Sequence, residues 1–257
     1  MTERLRHALD EYRTRTKVAA GVSVATGVLE GLGIADRYTA LESPIGPVFV
    51  SWNARGVVAL RQAANAEGFE RWFRRRFERR VFPATERPEL IGLVQRALAG
   101  EKVEVPVDLR DCTAFETAVL EKARQIPKGH ARPYAWIARE IAHPRAVRAV
   151  GSALAKNPVP LLIPCHRVVR SDYTCGEYVF GSERKRELLE SEGLPLDEIQ
   201  ALARRGVRYI GRTEGNWFCL PTCGTDVLED EHTCLHTVEE ALARGLRPCG
   251  ICRPMAA

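Results

Sequence analysis

Two constellations in the sequence combine residue types that could do chemistry. The first is Leu162-Ile-Pro-Cys165-His166-Arg167-Val168-Val169, where an apolar run delivers a cysteine followed directly by a histidine and an arginine. A free thiol has a pKa of about 8.5 and reacts only as the thiolate. A base and a positive charge beside it are what an activated cysteine nucleophile needs. A cysteine that merely fills a core needs neither neighbour, although one short motif does not separate the two cases. The second constellation is the C-x3-C pair Cys219 and Cys223 followed by the C-x2-C pair Cys249 and Cys252. Two such knuckles, separated by a helical stretch over Thr237 to Arg244, fit a tetrahedral zinc site with four thiolate ligands. His232, Cys234 and His236 are rival ligands without the paired-knuckle spacing, and a redox disulfide is the other alternative. This tail has few large apolar groups, so a metal would supply much of its folding free energy.

The elements that must position these residues are legible in outline. Ser43-Pro-Ile-Gly46 through Leu60 predicts two short strands with a hairpin turn at Asn53-Ala-Arg-Gly56. Phe69, Trp72, Phe73 and Phe77 recur at helical spacing among arginines, which predicts an amphipathic helix with a solvated basic face. Val105-Pro106 to Arg110 reads as an extended linker. Thr113-Ala-Phe-Glu116 is a capping box that opens a helix, and Ile126-Pro-Lys-Gly129 ends it. A short helix over Tyr134 to Ile141, a turn at His143-Pro144 and a second helix over Arg145 to Lys156 follow. Helix, tight turn, helix is the shape of a DNA-binding unit, and equally of many ordinary cores. Ala149, Gly151, Ser152 and Ala153 leave one side of the second helix nearly bald, with Arg148 projecting among them. Such a face suits close approach to a minor groove, or tight helix packing.

Charge is distributed unevenly. From Arg110 to Glu192 there are fourteen Lys/Arg against ten Asp/Glu, whereas from Val207 onward there are five against seven. The middle of the chain therefore suits an anionic partner and the tail does not. No run of eighteen apolar residues predicts a membrane span, and the first ten residues, with Glu3, Arg4, Arg6 and Asp10, lack a signal-peptide core. Closely paired cysteines without a signal point to metal or redox chemistry in a reducing compartment, the cytoplasm.

The stretch from Phe115 to Gly193 resembles the O6-alkylguanine-DNA alkyltransferase family. The matching residues are Ile126-Pro-x-Gly129, Tyr134-x-x-Ile-Ala138, Pro144, Arg148-Ala-Val-Gly151, Asn157-Pro158, Ile163-Pro-Cys-His-Arg-Val168, Tyr178-x-x-Gly181, Lys185, Leu188-Leu189 and Glu192-Gly193. The Ser43-Pro-Ile-Gly46 region is similar to the family's N-terminal domain. The resemblance implies single-turnover transfer of an alkyl group from O6 of guanine, or O4 of thymine, in double-stranded DNA to Cys165. It implies Cys165, His166, Glu192, Tyr134 and Lys185 as catalytic residues. Arg148, Ala149, Gly151, Asn157, Pro160, Arg167 and Tyr178 are implied at the DNA and the flipped base. Relatives without the nucleophile bind lesions without repairing them, a reading that the presence of Cys165 opposes. Ala142, Tyr173 and Glu177 depart from glycines common in the family.

Tyr209-Ile-Gly-Arg-Thr213, Phe218-Cys-x-Pro-x-Cys223, Glu240-Ala-Leu-Ala-x-Gly245 and Arg247-Pro-Cys-x-x-Cys-Arg-Pro254 resemble the zinc domain of the bacterial adaptive-response protein. That likeness implies zinc held by Cys219, Cys223, Cys249 and Cys252, with Cys219 at the position that accepts methyl from phosphotriesters. Leu220, Asp226 and Glu229-Asp-Glu231 replace basic residues usual there. An acidic module is repelled by phosphates, which favours structural zinc over a methyl acceptor or alkylation sensor. The expected architecture is an α/β N-terminal domain (residues 41–107) behind an extension (1–40), then a mostly α catalytic domain with a helix-turn-helix (108–195). A linker (196–206) and a small zinc-binding α/β domain (207–257) complete a chain expected to act as a monomer.

Overall fold

The computed structural model describes residues 35–84, 88–212, 215–228 and 232–254. Most of the expected extension, residues 1–34, lies outside the described residues. The chain divides into two compact units, one ending at Asp111 and the other starting at Cys112.

The first unit is an α/β layer. Strands β1 (Ala35–Leu41), β2 (Val48–Asn53), β3 (Gly56–Arg61) and β4 (Arg80–Pro83) form a sheet in the order β3-β2-β1-β4, antiparallel except for β1 with β4. The hairpin turns at Asn53-Ala-Arg-Gly56, as the turn residues predict. Gly56 is required there: a Cβ would lie 2.5 Å from the Pro106 carbonyl oxygen, because Val57 pairs with Val107 and brings the 105–110 segment against the strand. Helix α1 (Ala66–Phe77) is capped by Asn65, whose Oδ1 accepts from Gly68 N at 2.8 Å. Its Phe69, Phe73 and Phe77 pack with Tyr38, Val58, Ala59 and Val81, while Arg71, Arg74 and Arg75 face solvent. Helix α2 (Glu89–Leu98) buries Ile91, Val94 and Leu98. The expected boundary at residue 40 is corrected: β1 starts at Ala35, and its fully buried Asp36 accepts from Asn53 and Arg79.

The second unit opens with α3 (Ala114–Arg124), whose Thr113–Glu116 capping box is fully formed. Strand β5 (Arg132–Pro133) runs directly into α4 (Tyr134–Glu140), and a turn leads to α5 (Val147–Ala155). A short 3-10 turn, Cys165–Arg167, is followed by β6 (Val168–Val169), which pairs in parallel with β5. Helix α6 (Ser182–Ser191) follows. The expected linker at 196–206 is instead helix α7 (Leu196–Arg204). Its Leu196, Ile199 and Ala203 recur at helical spacing and pack with Ala131, Val169, Tyr173, Leu189 and Leu194 in one cluster, so apolar burial overrides the expectation of a free connector. The tail forms a sheet, β10-β8-β7-β9, from β7 (Tyr209–Arg212), β8 (Trp217–Cys219), β9 (Thr233–Leu235) and β10 (Arg247–Pro248), with α8 (Val238–Ala243) packed on it. This sheet belongs to the same compact unit as the helices before it. No described helix is long and apolar enough to cross a membrane.

Two of the three residues that replace family glycines sit in left-handed backbone, Ala142 at φ 60° and Tyr173 at φ 62°. Tyr173 is compensated, because its ring is buried in the α6–α7 cluster and its hydroxyl donates to the Arg208 carbonyl at 3.3 Å. Ala142 is exposed and has no such packing. Ala142→Gly is therefore expected to stabilise the protein by about 1 kcal/mol, read as a higher urea midpoint at an unchanged m-value. An unchanged or lower midpoint would show that this turn carries no strain.

Candidate active site and cysteine cluster

The nucleophile candidate is placed by a tightly folded loop. After α5, Asn157 closes the chain on itself: its Nδ2 donates to the Ile163 carbonyl at 2.9 Å and its Oδ1 accepts from Val159 N at 3.1 Å. The same Nδ2 reaches Cys165 Sγ at 3.1 Å. Cys165 is buried. Burial pushes its thiol pKa up, opposed by the Asn157 hydrogen bond and the positive charge of Lys185. Asn157, expected at the DNA, is thus buried under the sulfur, where its amide stabilises a thiolate. No signal in the sequence distinguished that role, because only the loop's closure brings the amide to Cys165.

Glu192, at the end of α6, organises the flanking charges. Its carboxylate accepts from His166 Nε2 at 3.0 Å and from Arg167 at 2.9 Å (Nε to Oε2) and 2.8 Å (Nη2 to Oε1). Burial works to raise the Glu192 pKa, but the His166 and Arg167 hydrogen bonds together outweigh it and hold it at about 2. An ionised carboxylate only accepts, so Nε2 carries the imidazole proton. Burial pushes the His166 pKa down against the attraction of Glu192, which keeps the ring neutral. Nδ1 then presents a bare lone pair, and it has no protein partner. Arg167, expected at the DNA, holds Glu192 and donates to the Ile126 carbonyl at 2.8 Å.

Lys185 is fully buried on α6. Its Nζ donates to the Val168 carbonyl at 2.6 Å and lies 3.4 Å from the Tyr134 hydroxyl. Burial lowers its pKa to about 8. Tyr178 packs edge-on to His166 with its hydroxyl buried and unpartnered. Burial raises the pKa of both Tyr134 and Tyr178, so both remain phenols. The structure therefore gathers Cys165, His166, Glu192, Tyr134, Lys185, Asn157 and Tyr178 around one sulfur. Pro160 is buried in the same loop. Arg148 and Ala149 lie exposed on α5, and Gly151 sits beside the Tyr134 ring, where a Cβ would be 3.9 Å from its Cε1.

In the tail, the Sγ atoms of Cys223, Cys249 and Cys252 lie within 4.8 Å of one another. Zinc–sulfur bonds of about 2.3 Å in a tetrahedron demand sulfurs about 3.8 Å apart, and Cys223 and Cys249 stand at 3.9 Å. Cys219, the fourth expected ligand, stands outside that group of three but hydrogen-bonds Cys223 and Cys252. Three thiols this close ionise together only around a cation, so the cluster is compatible with zinc. Of the rivals, His236 is used by the Gly206 carbonyl at 3.0 Å, and Cys234 lies in β9. Cys219 and Cys252 are fully buried, and Cys249 is half-buried. The acidic run at 229–231 lies outside the described residues.

Residues 114–194 match the family described as 6-O-methylguanine DNA methyltransferase, DNA binding domain. The methylated-DNA–protein-cysteine methyltransferase of Methanothermobacter thermautotrophicus is 31% identical over 160 residues, covering 61% of this chain and 85% of that one. The chain belongs to the methylated-DNA–protein-cysteine methyltransferase family. The Escherichia coli bifunctional transcriptional activator/DNA repair enzyme Ada is 33% identical over 169 residues, covering 63% of this chain but 47% of that protein, so the chain spans about half the length of that relative. Among solved structures, Mycobacterium tuberculosis OGT in complex with DNA superposes with a TM-score of 0.50 at 32% identity, covering 61% of this chain and 92% of that one.

The Glu192 clamp has a pH signature. The carboxyl pKa falls from about 4.3 in an unfolded chain to about 2 in the folded one. Its stabilisation is thus complete above the unfolded value and lost as pH drops toward the folded one. Replacing it with glutamine is expected to cost on the order of 3 kcal/mol at pH 7 and to flatten stability between those pH values, measured by urea titration. Equal acid slopes in Glu192→Gln and the parent would refute the clamp.

Proposed function

We propose that Cys165 is the acceptor of the alkyl group and that the substrate is O6-alkylguanine in duplex DNA. The chain is a DNA-repair methyltransferase of the cysteine-alkylating kind by its family, and the site supports assigning the steps to residues. The observation that carries the reading is the pairing of a buried thiol with a neutral imidazole whose Nδ1 lone pair is unclaimed. His166 Nδ1 takes the Cys165 proton through a bridging water, and the Glu192 carboxylate offsets the imidazolium that forms. The sulfur attacks the alkyl carbon, a C–S bond forms and the C–O6 bond breaks. The leaving guanine takes up a proton that the Tyr134 hydroxyl, backed by Lys185, is placed to deliver. Thioether formation uses the sulfur up, so one molecule performs one repair.

DNA docks on α5 in this reading, with its α4–turn–α5 pair acting as a helix-turn-helix. The exposed side of Arg145, Arg148, Ala149 and Ser152 combines positive charge with a low profile suited to a minor groove. Arg148 enters the stack in place of the rotated nucleotide, and the base lies against Pro160 between Tyr134 and Tyr178.

We infer that the four tail cysteines hold one zinc ion in a structural role. The full burial of Cys219 supports this over methyl acceptance, because a phosphotriester reaches only an accessible sulfur.

Mass mapping after incubation with duplex DNA carrying O6-methylguanine and methylphosphotriesters is expected to find one methyl, on Cys165. Cys165→Ala is expected to accept none while still binding DNA. A methyl retained by that variant on another residue would overturn the acceptor assignment, and a methyl on Cys219 would overturn the structural role of zinc. Arg148→Ala is expected to slow transfer from duplex on the order of tenfold or more and to leave transfer from free O6-benzylguanine unchanged. Equal slowing of both substrates would remove Arg148 from base rotation.

A further inference from the structure

The second unit buries a guanidinium with no carboxylate beside it. Arg132 is the largest fully buried side chain, only 1% exposed. Its Nη1 donates to the carbonyls of Ala131 at 2.7 Å and Thr222 at 3.2 Å, and its Nη2 approaches Cys223 Sγ at 3.8 Å. The Trp136 ring lies 5.6 Å from its central carbon. Among the described residues no Asp or Glu forms an ion pair with it. A buried cation without an anion costs several kcal/mol, and carbonyl dipoles and a ring offset only part of this. A zinc ion with four thiolates carries a net charge of two minus, and one of those sulfurs is the atom that Nη2 faces.

The same residues bind the cysteine centre to the alkyl-accepting site. Ala131 and Thr222 hydrogen-bond reciprocally, Ala131 N to the Thr222 carbonyl at 2.9 Å and Thr222 Oγ1 to the Ala131 carbonyl at 2.8 Å. Trp136 Nε1 donates to the Cys252 carbonyl at 2.6 Å, and Arg253 pairs with Glu140 at the far end of α4. Thr225 fills the notch left by Gly129 and Gly193, where a Cβ on Gly193 would come within 2.8 Å of its Cγ2. These contacts meet the active site from three sides. Arg132 lies in β5, whose partner β6 follows the Cys165 turn directly. Tyr134 begins α4, and Gly193 adjoins Glu192.

We propose that Arg132 is the counter-cation of the zinc–thiolate centre and a positioning residue for the reaction, so that metal occupancy sets how fast Cys165 accepts an alkyl group. The proposal rests on the zinc and acceptor readings above. With zinc bound, two opposite charges lock the knuckle Leu220–Thr225 onto Ala131–Pro133 and hold Tyr134 and the Glu192 clamp in register. Without zinc Arg132 loses the metal–sulfur centre it faces, and the segment loosens. Agents that strip or oxidise the thiolates thereby silence repair at a distance from Cys165.

The test uses the full chain with zinc, with zinc removed by chelation, and as Arg132→Met and Arg132→Lys. Zinc affinity is measured by competition with a chromophoric chelator, amide exchange of residues 129–136 by mass spectrometry, and methyl transfer to Cys165 in a single turnover with duplex O6-methylguanine. Arg132→Met is expected to weaken zinc about 10–100-fold, with Arg132→Lys recovering part of the loss. Zinc removal is expected to speed exchange over 129–136 and to slow transfer about tenfold or more, with zinc addition restoring both. Wild-type affinity in a folded Arg132→Met would overturn the charge pairing. Unchanged exchange and transfer in the stripped wild-type chain would overturn the coupling, and this arm does not depend on the variant folding. If the loaded wild type transferred no methyl to Cys165, the acceptor reading would fail, while affinity and exchange would still decide whether Arg132 pairs with the metal centre.

Discussion

A carboxylate taken out of water must be surrounded by donors, and around Glu192 those donors include the base of the proposed reaction. His166, Arg167 and the Gly129 amide converge on its two oxygens. In satisfying it they set the tautomer of His166, close the Cys165–Arg167 turn against α6 and tie the loop after α3 to the same point. The energetic logic is mutual. Burial would neutralise an isolated carboxyl, but a bidentate arginine and an imidazole N–H make the ionised form the stable one. The base, the nucleophile's turn and the loop beneath them therefore form one electrostatic unit.

Around that unit the chain places groups whose protonation burial shifts. Burial raises the thiol of Cys165, while the Asn157 amide and Lys185 draw it down. Burial likewise brings Lys185 to about 8, where its proton is readily shared with Tyr134. A site used once has no need to regenerate its nucleophile. It needs the thiol kept from adventitious oxidants and the proton transfers short, and a buried sulfur with fixed partners meets both demands.

The tail is more than an appendage of the helical core. Helix α7 carries it into the α6–α7 cluster, and Arg132, Thr222 and Trp136 connect the cysteine centre to the strand and helix that open the active site. A module with little apolar surface gains stability from a metal, and the sulfurs that would hold that metal include the one facing a buried guanidinium. Stability of the tail and order of the site thus share one set of contacts.

What the sequence determined by itself was local. Chemistry confined to neighbouring residues is written in one dimension: the Cys165-His166-Arg167 run, the cysteine knuckles, the Thr113–Glu116 box, the Asn53–Gly56 turn and the aromatic stripe of α1. Each depends on spacing within a turn or a few helical turns, so residue type and interval specify it. Tertiary structure decided partnerships across long intervals. It gave Arg167 to Glu192, put Asn157 under the sulfur, and made a core helix of the expected linker at 196–206. It also buried Arg132 against Cys223, 91 residues further along the chain. An arginine or asparagine carries the same donors wherever it stands, and only the folded chain chooses which acceptor it meets.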